Sequence, residues 1–330
     1  MSSPIIEVQN LRKTFQLKQK QAGFFGGFKN LFSSHYKQAH AVDDLSFSVN
    51  EGELVAFIGP NGAGKSTTIK MLTGILFPTS GSVNVLGFNP SKQRQQLAFH
   101  IGSVFGQKPQ LWYHLPPQDT YDLFARIYEL KEEDYQERLK YLVEMFEIGD
   151  LLNTQVRKLS LGQRMRCEIV ASLLHRPKII FLDEPTIGLD VIAKQTIREV
   201  IKTLNEKEKV TIFLTSHDAG DIESLAKRTV VINHGKIVFD DNTEKFKSTY
   251  INKKLVEIIS ADPIKNFRFP QGQIIEKTTY QVKIELDTSK SSIEKLLEYA
   301  VENFQIQDIN ISDPPMEEII ATIYREQARE

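Results

Sequence analysis

Three glycines and a lysine within nine residues constrain this chain more than anything else in its 330 residues. The run Gly59-Pro60-Asn61-Gly62-Ala63-Gly64-Lys65-Ser66-Thr67 fits the spacing GxxxxGK[ST]. That spacing has a mechanism only where a strand enters and a helix leaves. Both neighbours are present: Leu54-Val55-Ala56-Phe57-Ile58 is an unbroken apolar run of strand length, and a helical pattern follows from about Lys65 to Thr73. Between them, glycines let backbone N–H groups turn inward around phosphate oxygens, and the helix N-terminus adds a partial positive charge. Lys65 is expected to reach β- and γ-phosphates, and the Ser66 hydroxyl to ligate Mg²⁺.

A second run, Ile179-Ile180-Phe181-Leu182-Asp183-Glu184, is an apolar strand that ends in two carboxylates. Strand signals also fall at 5–8, 45–49, 210–215 and 229–232, with helical stretches near 191–206 and 218–227. Strands that alternate with helices imply a largely parallel sheet, whose strand C-termini are where ligands bind. Asp183 is expected to hold Mg²⁺ directly or through water, and Glu184, pointing the other way along the strand, to polarise an attacking water. Alone, a solvated Asp-Glu at a strand end is common. Paired with the upstream loop it implies nucleotide chemistry.

Leu159-Ser160-Leu161-Gly162-Gln163-Arg164, just before the second strand, makes the pattern specific. With it the chain resembles the ATP-binding subunit of an ABC transporter, of the bacterial exporter type with separate permease chains. Gln107 resembles the family's loop glutamine, Gly188-Leu189-Asp190 its D-loop and His217 its switch histidine, all in the family's order over about residues 5–240. The resemblance implies an ATPase whose two subunits clamp two ATP molecules head to tail, as a homodimer or with a paralogue. Ser160 and the Gly162 N–H would then contact the γ-phosphate across the interface. His217 would hold Glu184 and the water in line, and Gln107 would sense Mg²⁺. The adenine-stacking aromatic is Phe15 when counted from the first strand and Tyr36 when counted back from Ala41, with Phe15 favoured. Leu161 departs from the family's glycine, which puts the packing near the trans phosphate in question.

The fold expected is α/β: an ABC ATPase core with a mostly parallel sheet, an antiparallel β edge and an inserted helical subdomain at about 108–170. The core spans 1–240. A composition change after Asp240, with alternating stretches at 253–259 and 279–286 and helical spacing at 291–302 and 316–326, marks 241–330 as a small α+β accessory domain. Residues 12–40 contain six Lys/Arg and no acid, with aromatics at helical spacing between 24 and 32. We read about 16–40 as an insertion, either a membrane-surface segment or a loop folded on its own domain. Trp112, in a proline-bounded loop, either anchors a membrane subunit or packs inside the helical block.

Lys plus Arg number 41 against 42 Asp plus Glu, a balance unlike that of a nucleic-acid binder. Ribosome-acting relatives carry two cassettes and DNA-repair relatives a long coiled coil, so a soluble ATPase of either kind is the lesser alternative. The single Cys167 permits no disulfide and suits a core position in a reducing compartment. No apolar run approaches the ~20 residues that span a bilayer, and no signal-peptide pattern opens the chain. The expectation is therefore a peripheral subunit on the cytoplasmic face of the membrane, with permease partners.

Overall fold

Apolar runs of five or six residues bury both faces only inside a sheet covered on each side by helices. The computed structural model of the protein, which describes residues 4–18, 36–106, 108–216, 218–245, 253–288 and 290–312, places them there. The chain divides into two compact units, Met1–Asp241 and Asn242–Glu330. Strands and helices are numbered in chain order.

In the first unit, β1 (Ile6–Lys18) pairs antiparallel with β2 (Tyr36–Val49) and with β4 (Ser80–Val85). A second sheet has the order β5 (Ile101–Phe105), β6 (Ile179–Asp183), β7 (Thr211–Ser216), β3 (Leu54–Ile58), β8 (Arg228–Asn233) and β9 (Lys236–Asn242). From β5 to β8 every neighbouring pair is parallel. Phe47, Phe57, Phe181 and Phe213 meet between the sheets with ring centroids 5.1–6.0 Å apart, as aromatic packing prefers. Phe57, Phe181 and Phe213 sit within β3, β6 and β7, ahead of the strand ends that border the site.

The helical block consists of α3 (Pro117–Ile127), α4 (Glu132–Phe146) and α5 (Leu161–Leu173). Before them come α1 (Lys65–Leu72) and α2 (Arg94–Ala98), and after them α6 (Val191–Glu208) and α7 (Ala219–Leu225). The hairpin arms run further than the sequence pattern implied. Pairing continues through Gln16↔Gln38 to Lys18↔Tyr36, so residues read as insertion at 16–18 and 36–40 are paired strand. The apolar-aromatic stretch at 24–32 and the helical spacing at 316–326 lie outside the described residues. Among the described residues, no helix is long and apolar enough to cross a membrane.

The second unit is an antiparallel sheet of order β11 (Gly272–Lys277), β12 (Gln281–Asp287), β10 (Lys253–Ser260), β13 (Ile306–Ser312). Alternation puts Val256 and Ile258 on one face with Val282, Ile284 and Leu286, where Leu296 and Ala300 of α8 (Ile293–Asn303) complete a core. Ser292 caps that helix by accepting from the Lys295 N–H.

Where the helical block meets the sheet, His175 lies flat on Tyr128, with centroids 3.9 Å apart and 3° between planes. Its Nε2 is 3.0 Å from the Ile101 carbonyl oxygen. Burial pushes the imidazole down to about 4, against the smaller opposing pull of that carbonyl. The unfolded chain takes up this proton near pH 6.5, so stability falls as pH drops from there towards 4. We expect this one residue to make the protein about 1–2 kcal/mol less stable at pH 5 than at pH 7. His175→Phe keeps the stack and removes the titration. Urea unfolding of both proteins at the two pH values should show a smaller pH difference in the variant, and equal differences would contradict the assignment.

Candidate functional site

The glycine-rich loop leaves β3 and closes on α1. Gly64 caps the helix at φ 109, and a Cβ there would lie 2.4 Å from the Ala41 carbonyl oxygen. Only glycine satisfies both the left-handed backbone and the close approach. The helix therefore starts with Lys65 already inside the loop, 5% exposed. Its Nζ donates to the carbonyl oxygens of Gly59 (2.7 Å) and Pro60 (3.3 Å) and lies 3.7 Å from Glu184 Oε1. Burial lowers the Lys65 pKa, while Glu184 and Asp183 work against that shift.

Asp183 ends β6. Its Oδ1 accepts from the Ser66 hydroxyl at 3.1 Å and from the Thr215 hydroxyl at 2.6 Å. The sequence reading missed Thr215, although its place at the end of an apolar strand next to Ser216 was a usable signal. Glu184 does not continue the strand alternation as expected. Its N–H still donates to the Thr215 carbonyl, as a ladder bond to β7, but its φ is 56, so the chain leaves the strand at this residue. The left-handed backbone re-aims the carboxylate towards Lys65. Such conformations in a non-glycine residue carry strain and recur at functional positions.

Together these groups border a cleft of about 490 Å³, lined also by Lys70 and Lys108, which the motif reading had not included. Gly62, Gly64, Lys65, Ser66 and Thr67 all face it. The arrangement puts a cation, a hydroxyl and two carboxylates at the strand C-termini of a parallel sheet. That set can bind a polyphosphate and activate water beside it.

The signature residues stand elsewhere. Ser160, Gly162, Gln163 and Asp190 do not line the cleft of their own chain. Ser160 N-caps α5: its Oγ accepts from the Gln163 N–H while the Gln163 side chain accepts from the Ser160 N–H, a closed capping box. Gln163 is thus occupied in shaping the helix end, and the exposed Ser160 is held at its tip. Asp190 likewise caps α6, accepting from the Ala193 N–H at 2.8 Å. The two helix starts touch: a Cβ on Gly162 would lie 2.8 Å from Ala193 Cβ, so glycine is required there by packing. Leu161 packs sideways onto the D-loop, its Cδ2 3.2 Å from where a Gly188 Cβ would sit.

Phe15 pairs with Ala39 and has Lys13 Nζ 5.2 Å from its ring centre; it is not among the residues lining the cleft. The Tyr36 side chain, Gln107 and His217 lie outside the described residues, whereas their neighbours Gly106, Lys108, Ser216 and Asp218 are placed. Trp112 does not pack inside the helical block. It is 49% exposed, next to Tyr113 at 54%. The loop that presents them is pinned by buried Glu168, whose carboxylate accepts from the N–H groups of Gln110 and Leu111. Burial raises the Glu168 pKa against those two donors.

Residues 42–187 match the protein-family model described as ABC transporter. The ABC transporter ATP-binding protein NatA of Bacillus subtilis is 33% identical over 208 residues, covering 63% of this chain and 84% of NatA. The bacitracin transport ATP-binding protein BcrA of Bacillus licheniformis is 32% identical over 227 residues, covering 69% and 72%. ABC transporter A family member 1 of Dictyostelium discoideum is 33% identical, but the chain spans only 26% of its length. Among solved structures, cbiO1 of Clostridium perfringens, part of the ABC transporter complex cbiONQ, matches with a TM-score of 0.62 at 25% identity, over 75% of this chain and 92% of that one. The dimeric bacterial ABC transporter cassette MJ0796 matches with a TM-score of 0.58 at 25% identity, over 72% and 98%.

Proposed function

This chain belongs to the ABC transporter family as an ATP-binding, ATP-hydrolysing subunit, and from that premise we propose that it drives export through permease subunits on separate chains. The observation that carries the reading is the meeting of Lys65, Ser66, Asp183 and Glu184 in one cleft at the sheet's C-terminal edge. The loop N–H groups and Lys65 bind the β- and γ-phosphates of ATP. Thr67 and the backbone from Gly59 to Gly64 complete the cradle.

Ser66 and Asp183 fit a magnesium ion, because a hydroxyl and one carboxylate beside substrate phosphates is the donor set this hard cation takes. Bound there, it would neutralise charge developing on the phosphates. Glu184 takes a proton from the attacking water, and its left-handed turn aims it at the phosphate end of the cleft. Gln107 and His217 follow the family's pattern as sensors of that reaction. Phe15, which stands outside the cleft lining, is favoured over Tyr36 as the aromatic that stacks on the adenine.

The cleft is incomplete without Ser160, which caps a helix elsewhere on the same chain. A second subunit, whether a copy or a paralogue, supplies its Ser160 and Gly162 to the γ-phosphate. Val191 and Ile192, 83% and 80% exposed beside Asp190, form an apolar step that such a partner covers. MJ0796 is a dimeric cassette, which supports this assembly. Trp112 and Tyr113 suit the permease contact, since aromatic anchors dominate interfaces. The subunit then sits peripherally on the cytoplasmic face of the membrane.

The test is to tag the Glu184→Gln protein in its host, trap it with ATP and identify what co-purifies from solubilised membranes by mass spectrometry. Multi-span membrane proteins in stoichiometric amount are expected. Recovery of ribosomal or DNA-repair proteins in their place would overturn the transporter assignment.

A further inference from the structure

Asp221 has no part in that scheme, yet its carboxylate is completely enclosed, with 0% exposure. It belongs to no motif of the sequence; it lies in the first turn of α7. Its Oδ2 accepts from the Thr186 hydroxyl at 2.5 Å and from the Ser216 hydroxyl at 2.7 Å. Its Oδ1 accepts from Arg198 Nε at 2.7 Å. These partners come from three separate segments. Thr186 is two residues past Glu184, Ser216 immediately precedes position 217, and Arg198 stands on α6, the helix that Asp190 caps.

The cluster continues to the other side of position 217. Arg198 Nη2 donates to Asp218 Oδ1 at 2.8 Å, Lys194 pairs with Asp218 Oδ2, and the Ser216 hydroxyl accepts from the Asp218 N–H at 2.9 Å. Burial disfavours the Asp218 charge, but Lys194, Arg198 and the Gly220 N–H outweigh it and hold its pKa below the usual value. Of the two chain neighbours of position 217, Ser216 is therefore held by the Asp221 carboxylate and Asp218 by Lys194 and Arg198, with Arg198 bridging the two acids.

Enclosing a carboxylate carries a desolvation penalty, and apolar side chains of similar volume would hold three segments together with less of it. What charge-assisted hydrogen bonds add is direction and distance. We propose that Asp221 is a positioning residue for ATP hydrolysis: by sharing one oxygen between Thr186 and Ser216 and giving the other to Arg198, it sets the Glu184 segment in register with the segment carrying position 217 and ties both to the Asp190 helix. This rests on the reading of Glu184 as base. Asp183–Thr215 forms a first cross-link between the ends of β6 and β7, and Thr186–Asp221–Ser216 forms a second, three residues further along the β6 side and one along β7.

The test uses the full chain with Thr186→Val, which keeps the side-chain shape and removes one donor, Thr186→Ser, which restores it, and Ser216→Ala. Steady-state hydrolysis and ATP affinity by calorimetry are measured on the same preparations. Thr186→Val should lower kcat roughly tenfold, as sub-ångström misplacement of reacting groups does. Affinity for ATP should stay within about twofold, and Thr186→Ser should return kcat to near the parent value. Because both hydroxyls share one oxygen, the combined Thr186→Val and Ser216→Ala protein should lose less than the product of the two single losses. Parent-like kcat in both single variants, or a loss confined to ATP affinity, overturns the proposal. Glu184→Gln in the same assay separates the two readings: if it is inactive while Thr186→Val is fully active, only the positioning role fails, and if it still turns over, the base assignment fails first.

Discussion

Glu184→Gln should bind ATP as the parent does and hydrolyse it slower by a factor on the order of 10²–10⁴, the contribution expected of a general base. The amide keeps the volume and one acceptor of the carboxylate but cannot take a proton from water. Among the described residues that line the cleft, Asp183 is the one other carboxylate. Its Oδ1 is engaged by Ser66 and Thr215. Binding survives because ATP phosphates take over the negative charge that Glu184 places 3.7 Å from Lys65. The variant should also accumulate as a nucleotide-dependent dimer on size exclusion, since the step that would release the dimer is blocked. Phosphate release at the parent rate would refute the role of Glu184.

Lys65→Ala should lose ATP binding. The ammonium is 5% exposed and aimed into the loop, so removing it leaves two carboxylates facing the phosphates with no charge between them. Truncating one side of a buried charge pair costs about 2–5 kcal/mol, a factor of roughly thirty to several thousand in affinity. Lys70 and Lys108 also line the cleft, but neither starts the helix on which the phosphates sit. Calorimetry is the direct check. Retained micromolar or tighter binding would count against the loop assignment.

The nucleotide loop was legible in the sequence because its strand, turn and helix are contiguous, and each residue's constraint is local. Asp183 could be found for the same reason, at the end of an apolar strand. The conformation of Glu184 could not, since nothing in a Leu-Asp-Glu-Pro run specifies a left-handed backbone at the glutamate. The strand Ser80–Val85 escaped notice because Ser80, Gly81 and Ser82 are weak β-formers on an exposed edge, held in place by pairing with β1. Gln16 to Lys18 and Tyr36 to Gln38 read as an insertion because their composition is polar and basic; only the cross-strand register shows them to be sheet. Asp221 illustrates the limit. Its three partners lie 35, 23 and 5 residues away in sequence, and their convergence exists only once β6, β7 and α6 are assembled. Gln163 is the reverse case, a motif residue whose side chain is occupied by the helix cap.

The register that carries β1 and β2 on to Lys18 and Tyr36 brings the two ends of residues 19–35 to adjacent positions on neighbouring strands. Closure entropy between two points already fixed varies slowly with chain length: bridging Lys18 and Tyr36 with about five residues would change it by only about 1 kcal/mol. The cassette thus offers a cloning slot between Lys18 and Tyr36. Foreign sequence, an affinity tag or the corresponding stretch of a paralogue could be exchanged there by protein engineers, with the nucleotide machinery serving as an unaltered chassis.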